Sequence, residues 1–457
     1  MKRYLFLLLT LPVIALPLAA AEMLTLDEAL QSAVAANPTY LASVRSAEAS
    51  ENKQLLVRAG FMPIISSELS YKRTTLNSAG VPGASSFQDM LGMFNPSALN
   101  PAATMPKDRS ESDSFNNYSL SLLVTQNIWD FKTYYNYQGA GYIRSAAELD
   151  ADTAVNNLYL TVVQAYYAVL AADATLVSVR GSVAQMEKRF ETAVAQVDNG
   201  LRTPVDKLRA EAELAAARLN LIKATNLRTN AVKALATAIG LDPANELEID
   251  PAASVGDAGD DGAARAVATA IARRPDTRAL KEKIAASRLT AKAARGDYYP
   301  QFKANAGVSY GGYEFDALKY NWYIGAAVSW NIFAGLATQT QAKDADAAVT
   351  ILELNLRALE QSIRYEVETA LTALKEARDK EAPTRTMYDA AKAALDLADQ
   401  RFAQGLGTIT DVSDAQAFYE QASAALIQTR YDLETAKAKL KKALGLGGTA
   451  FYQHKGE

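Results

Sequence analysis

The sequence predicts a membrane protein of mixed α and β class. Four short strands per chain have to be completed by other copies, and very long helices form a coiled-coil wall. Three observations carry this prediction. The chain opens on a cleavable leader, it repeats itself once with a period of roughly 200 residues, far longer than a solenoid unit, and each copy couples two alternating strands to an extended heptad.

The leader comes first. Lys2 and Arg3 precede an apolar run over 4–16, and Ala19, Ala20 and Ala21 lead to Glu22. This is the pattern of a secretory signal peptide over 1–21, and its apolar run is shorter than the ~20 residues a spanning helix needs. The sequence contains no cysteine, so disulfides and an acylated N-terminal cysteine are both excluded. The formal net charge is -4 and no basic stripe is present, which argues against a nucleic-acid partner. Beyond the leader no apolar run stands out at spanning length, which assigns any membrane crossing to strands.

The repeat divides the mature chain into 22–241 and 263–446, joined by a Pro-, Gly- and Asp-rich linker over 242–262 and followed by a tail over 447–457. Each half begins with a helix containing a proline, at Asn37-Pro38 or Arg274-Pro275. A second proline, Pro63 or Pro300, then opens a strand. Strands are expected over about 63–72, 116–129, 300–310 and 321–333. Helices are expected over about 131–199, 204–240, 336–404 and 409–444. The long segment from Arg73 to Ser114 reads as an outward-facing loop.

The strands alternate with period two. One face of the second strand reads Tyr118, Leu120, Leu122 and Val124, and its counterpart in the other half reads Trp322, Ile324, Ala326 and Val328. The opposite faces carry Ser119, Ser121 and Thr125, or Gly325, Ala327 and Ser329. About ten residues per strand suffices to cross an outer membrane at a tilt. Tyr118 and Trp322 at one end, with Trp129, Phe131, Trp330 and Phe333 at the other, suit two interfacial girdles. Four strands cannot close a barrel, since the smallest spanning barrels need about eight. Open edges in lipid would leave backbone groups unpaired at several kcal/mol each, so other copies must complete the sheet. Sequence physics alone does not fix the number of copies.

The helices carry a heptad. From Val155 it runs through Leu158, Val162, Val169, Leu176, Val183, Phe190 and Val197, with small or apolar residues at the intervening seam positions. The second half repeats it at Ile363, Val367, Ala370 and Leu374, loses it near Pro383, and resumes at Tyr388, Ala391, Leu395 and Phe402. Pro383 is expected to kink or interrupt its helix. A continuous helix over 131–197 would be on the order of 100 Å long. Each long helix reverses at a glycine turn: Gly200 and Leu201 before Thr203 in the first half, Gly405 and Leu406 before Thr408 in the second. Glycine accepts the positive φ such a reversal needs, and the threonine is placed to N-cap the returning helix.

Two tandem strand–helix–turn–helix halves behind a leader resemble the TolC-like outer-membrane efflux family over nearly the whole mature chain. The most specific match is the run from Gly405 to Ala415, Gly-Leu-Gly-Thr-Ile-Thr-Asp-Val-Ser-Asp-Ala, with its first-half partner Gly200-Leu201-Arg202-Thr203-Pro204-Val205-Asp206. The resemblance implies a homotrimer in the outer membrane of a Gram-negative bacterium. Its twelve strands form one barrel, continued by a periplasmic α-helical coiled-coil barrel. It implies a passive duct for efflux or type I secretion, loaded by a periplasmic adaptor and an inner-membrane transporter, with no enzymatic activity and no cofactor. It also implies that Asp411 and Asp414 ring the periplasmic entrance, where crowded carboxylates would raise some of their pKa values and attract cations. Phe402 takes the place of a gate tyrosine and lacks its hydroxyl. Gly407 stands where the family has a latching arginine, Val205 and Asp206 match the residues that receive the latch, and Arg202 is the candidate for a substitute pairing. The turns at Gly200-Leu201-Thr203 and Gly405-Leu406-Thr408 are the expected adaptor-docking sites.

Other signals are weaker. His454 is the only histidine and sits in a polar tail, which leaves catalysis and metal binding without their usual residues. The Gly445–Gly448 cluster follows a helix and reads as a C-cap rather than a phosphate loop. Asp257, Asp260 and Asp261 do not fit the spacing of a calcium loop. The rival reading is a periplasmic coiled-coil scaffold or adaptor without a pore. It explains the heptads and leaves the four amphipathic strands unexplained.

Overall fold

The computed structural model describes residues 23–75, 114–245, 247–256, 262–404 and 406–448. The leader, most of the 73–114 loop, the Asp257–Asp261 cluster, Gly405 and all but the start of the C-terminal tail lie outside the described residues. The chain divides into two compact units. One comprises Met1–Glu48, Ser145–Glu282 and Glu353–Glu457, and the other Ala49–Arg144 and Lys283–Leu352.

The elements follow the two repeats. The first holds α1 (Leu26–Ala36), α2 (Pro38–Ala59), β1 (Ile64–Thr75), β2 (Ser114–Trp129), α3 (Phe131–Asp198) and α4 (Pro204–Ala238). The second holds α5 (Ala263–Arg273), α6 (Pro275–Ala294), β3 (Gln301–Gly312), β4 (Lys319–Ser329), α7 (Ala337–Ala403) and α8 (Ile409–Ala443). The expectation of one proline-containing helix at the start of each half is corrected: Pro38 and Pro275 each begin a new helix. A residue before proline is pushed towards extended backbone. Asn37 accordingly has ψ 119° and Arg274 ψ 129°, which ends α1 and α5. Asn37 then caps α2, accepting at Oδ1 from the Thr39 and Tyr40 amides at 3.0 and 3.1 Å.

In the strand-bearing unit, the four strands form one antiparallel sheet in the order β1-β2-β3-β4. A register shift between Asn127 and Trp129 marks a bulge at the end of β2. Period-two alternation makes the faces as the sequence predicts, and the apolar face is uncovered within the chain. Leu69 is 75% exposed, Trp322 66% and Ile324 78%. An apolar face of this kind needs a solvent other than water. β1 and β4 are the sheet's two edges in the single chain. β4 ends at Ser329, short of the expected Phe333, so Trp330 and Phe333 sit in the irregular stretch leading to α7.

The helical unit buries what its heptads predict. Val155, Leu158, Val162, Val169, Leu176, Val183 and Met186 are all buried, as are Ile363, Val367, Ala370, Leu374, Ala391 and Leu395. Two expectations need correction here. A stretch of α3 is apolar enough to meet the composition of a membrane-spanning helix, and nearly half of it is buried inside the chain. Of the two effects expected of Pro383, interruption is overturned, since α7 runs on through it. Proline removes one backbone donor and leaves the carbonyl four residues earlier, that of Asp379, without its helical partner. Asp379 and Pro383 are both exposed, so water can meet that carbonyl.

Part of the linker joins this core. Leu24 forms a parallel bridge with Ile249, and Val255 is buried. Tyr166 donates its hydroxyl to the carbonyls of Leu24 (2.9 Å) and Asp250 (3.0 Å), and Tyr167 donates to that of Ala253 (3.1 Å). Burial pushes both phenols up in pKa, which keeps them neutral donors.

Candidate functional site at the repeat turns

Both long helices end on the same backbone device. In the first repeat the Leu201 amide donates to the Gln196 carbonyl at 2.9 Å and the Gly200 amide to that of Val197 at 2.9 Å, with φ of Gly200 at +70°. This is a Schellman reversal, which satisfies the orphan carbonyls of a helix end. In the second repeat the Leu406 amide donates to the Arg401 carbonyl at 2.9 Å, the same six-to-one bond. Leu201 is 75% and Leu406 70% exposed, so each turn presents an apolar side chain to its surroundings.

Both returning helices start on a threonine–aspartate cap, reciprocal in the second repeat and one-way in the first. Asp411 donates its amide to Thr408 Oγ1 at 3.2 Å, and its Oδ2 accepts from the Thr408 amide at 2.9 Å. Asp206 accepts at Oδ2 from the Thr203 amide (3.2 Å) and hydroxyl (3.0 Å). The amide bond of Thr408, followed by its hydroxyl, holds the Asp411 carboxyl below the ordinary aspartate range. Hydrogen bonds donated to a carboxylate favour its charged form. Asp414 lies three residues on and is exposed, as is Asp411.

Of the gate candidates, Phe402 and Arg202 come together where the two turns meet. Phe402 is buried in a cluster with Ala193, Ala210, Leu395, Ile409 and Val412. The Arg202 guanidinium lies 4.4 Å from the centre of the Phe402 ring, and its Nη2 donates to the Gly407 carbonyl at 3.0 Å. The side chain of the first turn thus closes on the backbone of the second, at the position where the sequence lacks an arginine. Arg202 pairs with that carbonyl, while the Asp206 carboxylate is engaged by its own Thr203.

Sequence reasoning missed a polar layer just above these turns. Arg189 is buried. Its Nη2 donates to Asp399 Oδ1 at 2.8 Å, and its Nη1 lies 3.9 Å from Glu213 Oε2. Ser413 donates to the other oxygen of Glu213, and Arg209 Nη1 donates to Thr410 Oγ1 at 2.8 Å. These contacts tie α3 and α4 to α7 and α8. Arg189 sits beside the seam residue Phe190, and nothing in the heptad distinguishes it from an ordinary exposed charge.

The aromatic candidates all lie in the strand-bearing unit. Trp129 packs edge-on to Phe131 (ring centres 5.5 Å apart) and Phe131 against Tyr299 (4.7 Å). Trp330 donates its indole N–H to the Tyr298 carbonyl at 3.0 Å, and Phe333 is 80% exposed. At the opposite end Tyr118 packs on Tyr71 (5.1 Å). Trp322 does not share Tyr118's ladder row. It pairs with Val308, which pairs with Leu122, four residues along β2 from Tyr118. Tyr310 and Tyr320, paired across β3 and β4 with ring centres 5.2 Å apart, stand nearer that end.

A strand sheet whose apolar face needs lipid, joined in sequence to long helices written twice, defines an outer-membrane channel subunit. The chain belongs to the outer membrane efflux protein family, whose model matches residues 29–241 and 266–446, one stretch per repeat. It is 24% identical over 318 residues to the outer membrane protein TolC of Vibrio cholerae, covering 66% of this chain and 71% of that one. Its fold is similar to that of the CmeC outer membrane channel of Campylobacter jejuni (TM-score 0.77, 16% identity, 92% of this chain and 86% of the other). It is likewise similar to the open-state MtrE outer membrane channel of Neisseria gonorrhoeae (TM-score 0.73, 19% identity, 92% and 89%). The protein is therefore an efflux channel of the Gram-negative outer membrane, and family members work as trimers and catalyse no reaction. The pore-less scaffold gives way to this membership.

Proposed function

We propose that the protein is the exit duct of a tripartite efflux pump or type I secretion system, opened when a periplasmic adaptor and an inner-membrane transporter dock at its two repeat turns. The observation that carries this reading is the pair of exposed leucines, Leu201 and Leu406, each on a helix reversal closed by a six-to-one backbone bond. A rigid turn presents an apolar anchor at little entropic cost, the property that makes a binding hot spot. The leader over 1–21 directs the chain out of the cytoplasm, and the segment 242–262 connects the halves. Tyr118, Trp129, Phe131, Trp322, Trp330 and Phe333 meet the lipid interfaces. Asp411 and Asp414, repeated threefold, form the cation-attracting narrow part of the entrance. Phe402, Asp206 and Arg202 hold that entrance closed.

Exchanging both leucines for glutamate tests the docking role. Leu201→Glu with Leu406→Glu should leave trimers and bilayer conductance intact while export in cells falls to background. Near-normal export by the double variant overturns the proposal.

A further inference from the structure

The sheet's small, polar face contains an aromatic ring with a purpose-made seat. Apart from the strand ends and Leu123, which pairs with Gly307 from β2, this face is built from residues such as Ser121, Thr125, Asn305, Ser309 and Gly325. Tyr323 stands among them on β4, directly opposite Gly307 on β3. A Cβ placed on Gly307 would lie 2.6 Å from Tyr323 Cε1, 2.8 Å from Cζ and 2.9 Å from the hydroxyl oxygen. The distal half of the ring therefore lies across the glycine backbone, in the space any other residue would fill. Gly307 is the one buried residue of β3, while Tyr323 is 50% exposed. One side of the ring is seated on the strand and the other is open. Glycine in a strand interior weakens it and commonly marks a close approach of another group. Here the approaching group is the ring.

We propose that Tyr323 is a specificity-determining residue of the duct. Seated on Gly307, it turns an aromatic face into the lumen, and the threefold assembly supplies three such faces that retain organic cations bearing aromatic groups. The proposal rests on the reading that the apolar face meets lipid, which leaves the small polar face to line the lumen. The physics of the ligand class follows from the ring. Its face is electron-rich, stacks on planar groups, and attracts cations within about 6 Å of its centre.

The chain contains no cysteine, so single cysteines can be introduced without background. In planar bilayers, a charged thiol reagent should reduce the current through Tyr323→Cys trimers and leave Trp322→Cys unchanged. Tetraphenylphosphonium added from the strand side should reside in wild-type and Tyr323→Phe channels about two- to fivefold longer than in Tyr323→Ser, the range a cation–π contact at an exposed site gives. Tetrabutylammonium, with the same charge and no rings, should distinguish none of them. Failure to modify Tyr323→Cys overturns the lumen assignment and the proposal with it. Modification of Tyr323→Cys together with equal tetraphenylphosphonium residence in wild type and Tyr323→Ser overturns the aromatic platform alone.

Discussion

The two repeat turns share a backbone and differ in what their side chains do. Both carry the six-to-one Schellman bond, an exposed leucine, and a threonine–aspartate cap on the returning helix. The second turn owns a buried ring, Phe402, where the first has the smaller, partly buried Val197. The first turn owns the cation, Arg202, where the second has Gly407. Each turn thus supplies what the other lacks, and the two meet in the contact of Arg202 with Phe402 and the Gly407 carbonyl. Duplication set the backbone, and divergence of two side chains made the halves dependent on each other.

That asymmetry makes matched truncations unequal. Phe402→Ala removes a ring from a closed cluster and should cost about 3–5 kcal/mol, the range for large-to-small aromatic changes in cores. Val197→Ala removes two methyl groups from a partly open site and should cost about 1 kcal/mol. Hydrogen exchange of the amides flanking both turns reads the difference locally. Equal loss of protection in the two variants would break the comparison. Arg202→Ala comes next. It should cost about 1–2 kcal/mol, combining an exposed cation–π contact with one hydrogen bond, and raise exchange at both turns together. Arg202→Lys keeps the charge and loses the planar fork, so it should restore only part of the protection. A change confined to the first turn would show that Arg202 does not couple the repeats.

Much of this was legible in the sequence because it rests on periodicity and on backbone chemistry. The heptad from Val155 predicts the buried seam, alternation predicts the sheet's two faces, and glycine followed by threonine predicts the reversals. What was not legible depends on partners far apart in the chain. Arg189 looks like any surface arginine until α7 brings Asp399 beside it. Phe402, the gate candidate, also packs into a core with Ala193 and Ala210, residues far away in the chain. Pro383 breaks the heptad without breaking its helix, since propensity is overridden where the lost bond faces water. That Trp322 stands four rows in from Tyr118 was not legible because register is a pairing property, fixed by Val308 and Leu122 rather than by position along its own strand.

The smallest expected effect concerns the caps, and it is read through pH. The Asp411 carboxyl is held below its ordinary value of 3.8 by the Thr408 amide and hydroxyl. A carboxyl with a depressed folded pKa stabilises fully at neutral pH, and the contribution disappears as pH falls through that depressed value. Asp411→Asn keeps an acceptor oxygen for the Thr408 amide and removes the charge that favours a helix N-terminus. At neutral pH the variant should therefore show faster amide exchange than wild type in the first turn of α8, by less than Arg202→Ala produces. As pH falls below the ordinary aspartate range, wild type should approach the variant, because its own carboxyl becomes neutral. The first turn of α4, capped through Asp206, is the internal control and should not change between the two proteins. A difference between wild type and variant that persists undiminished in acid would show that Asp411 acts through shape rather than charge, and the cap would lose its electrostatic account.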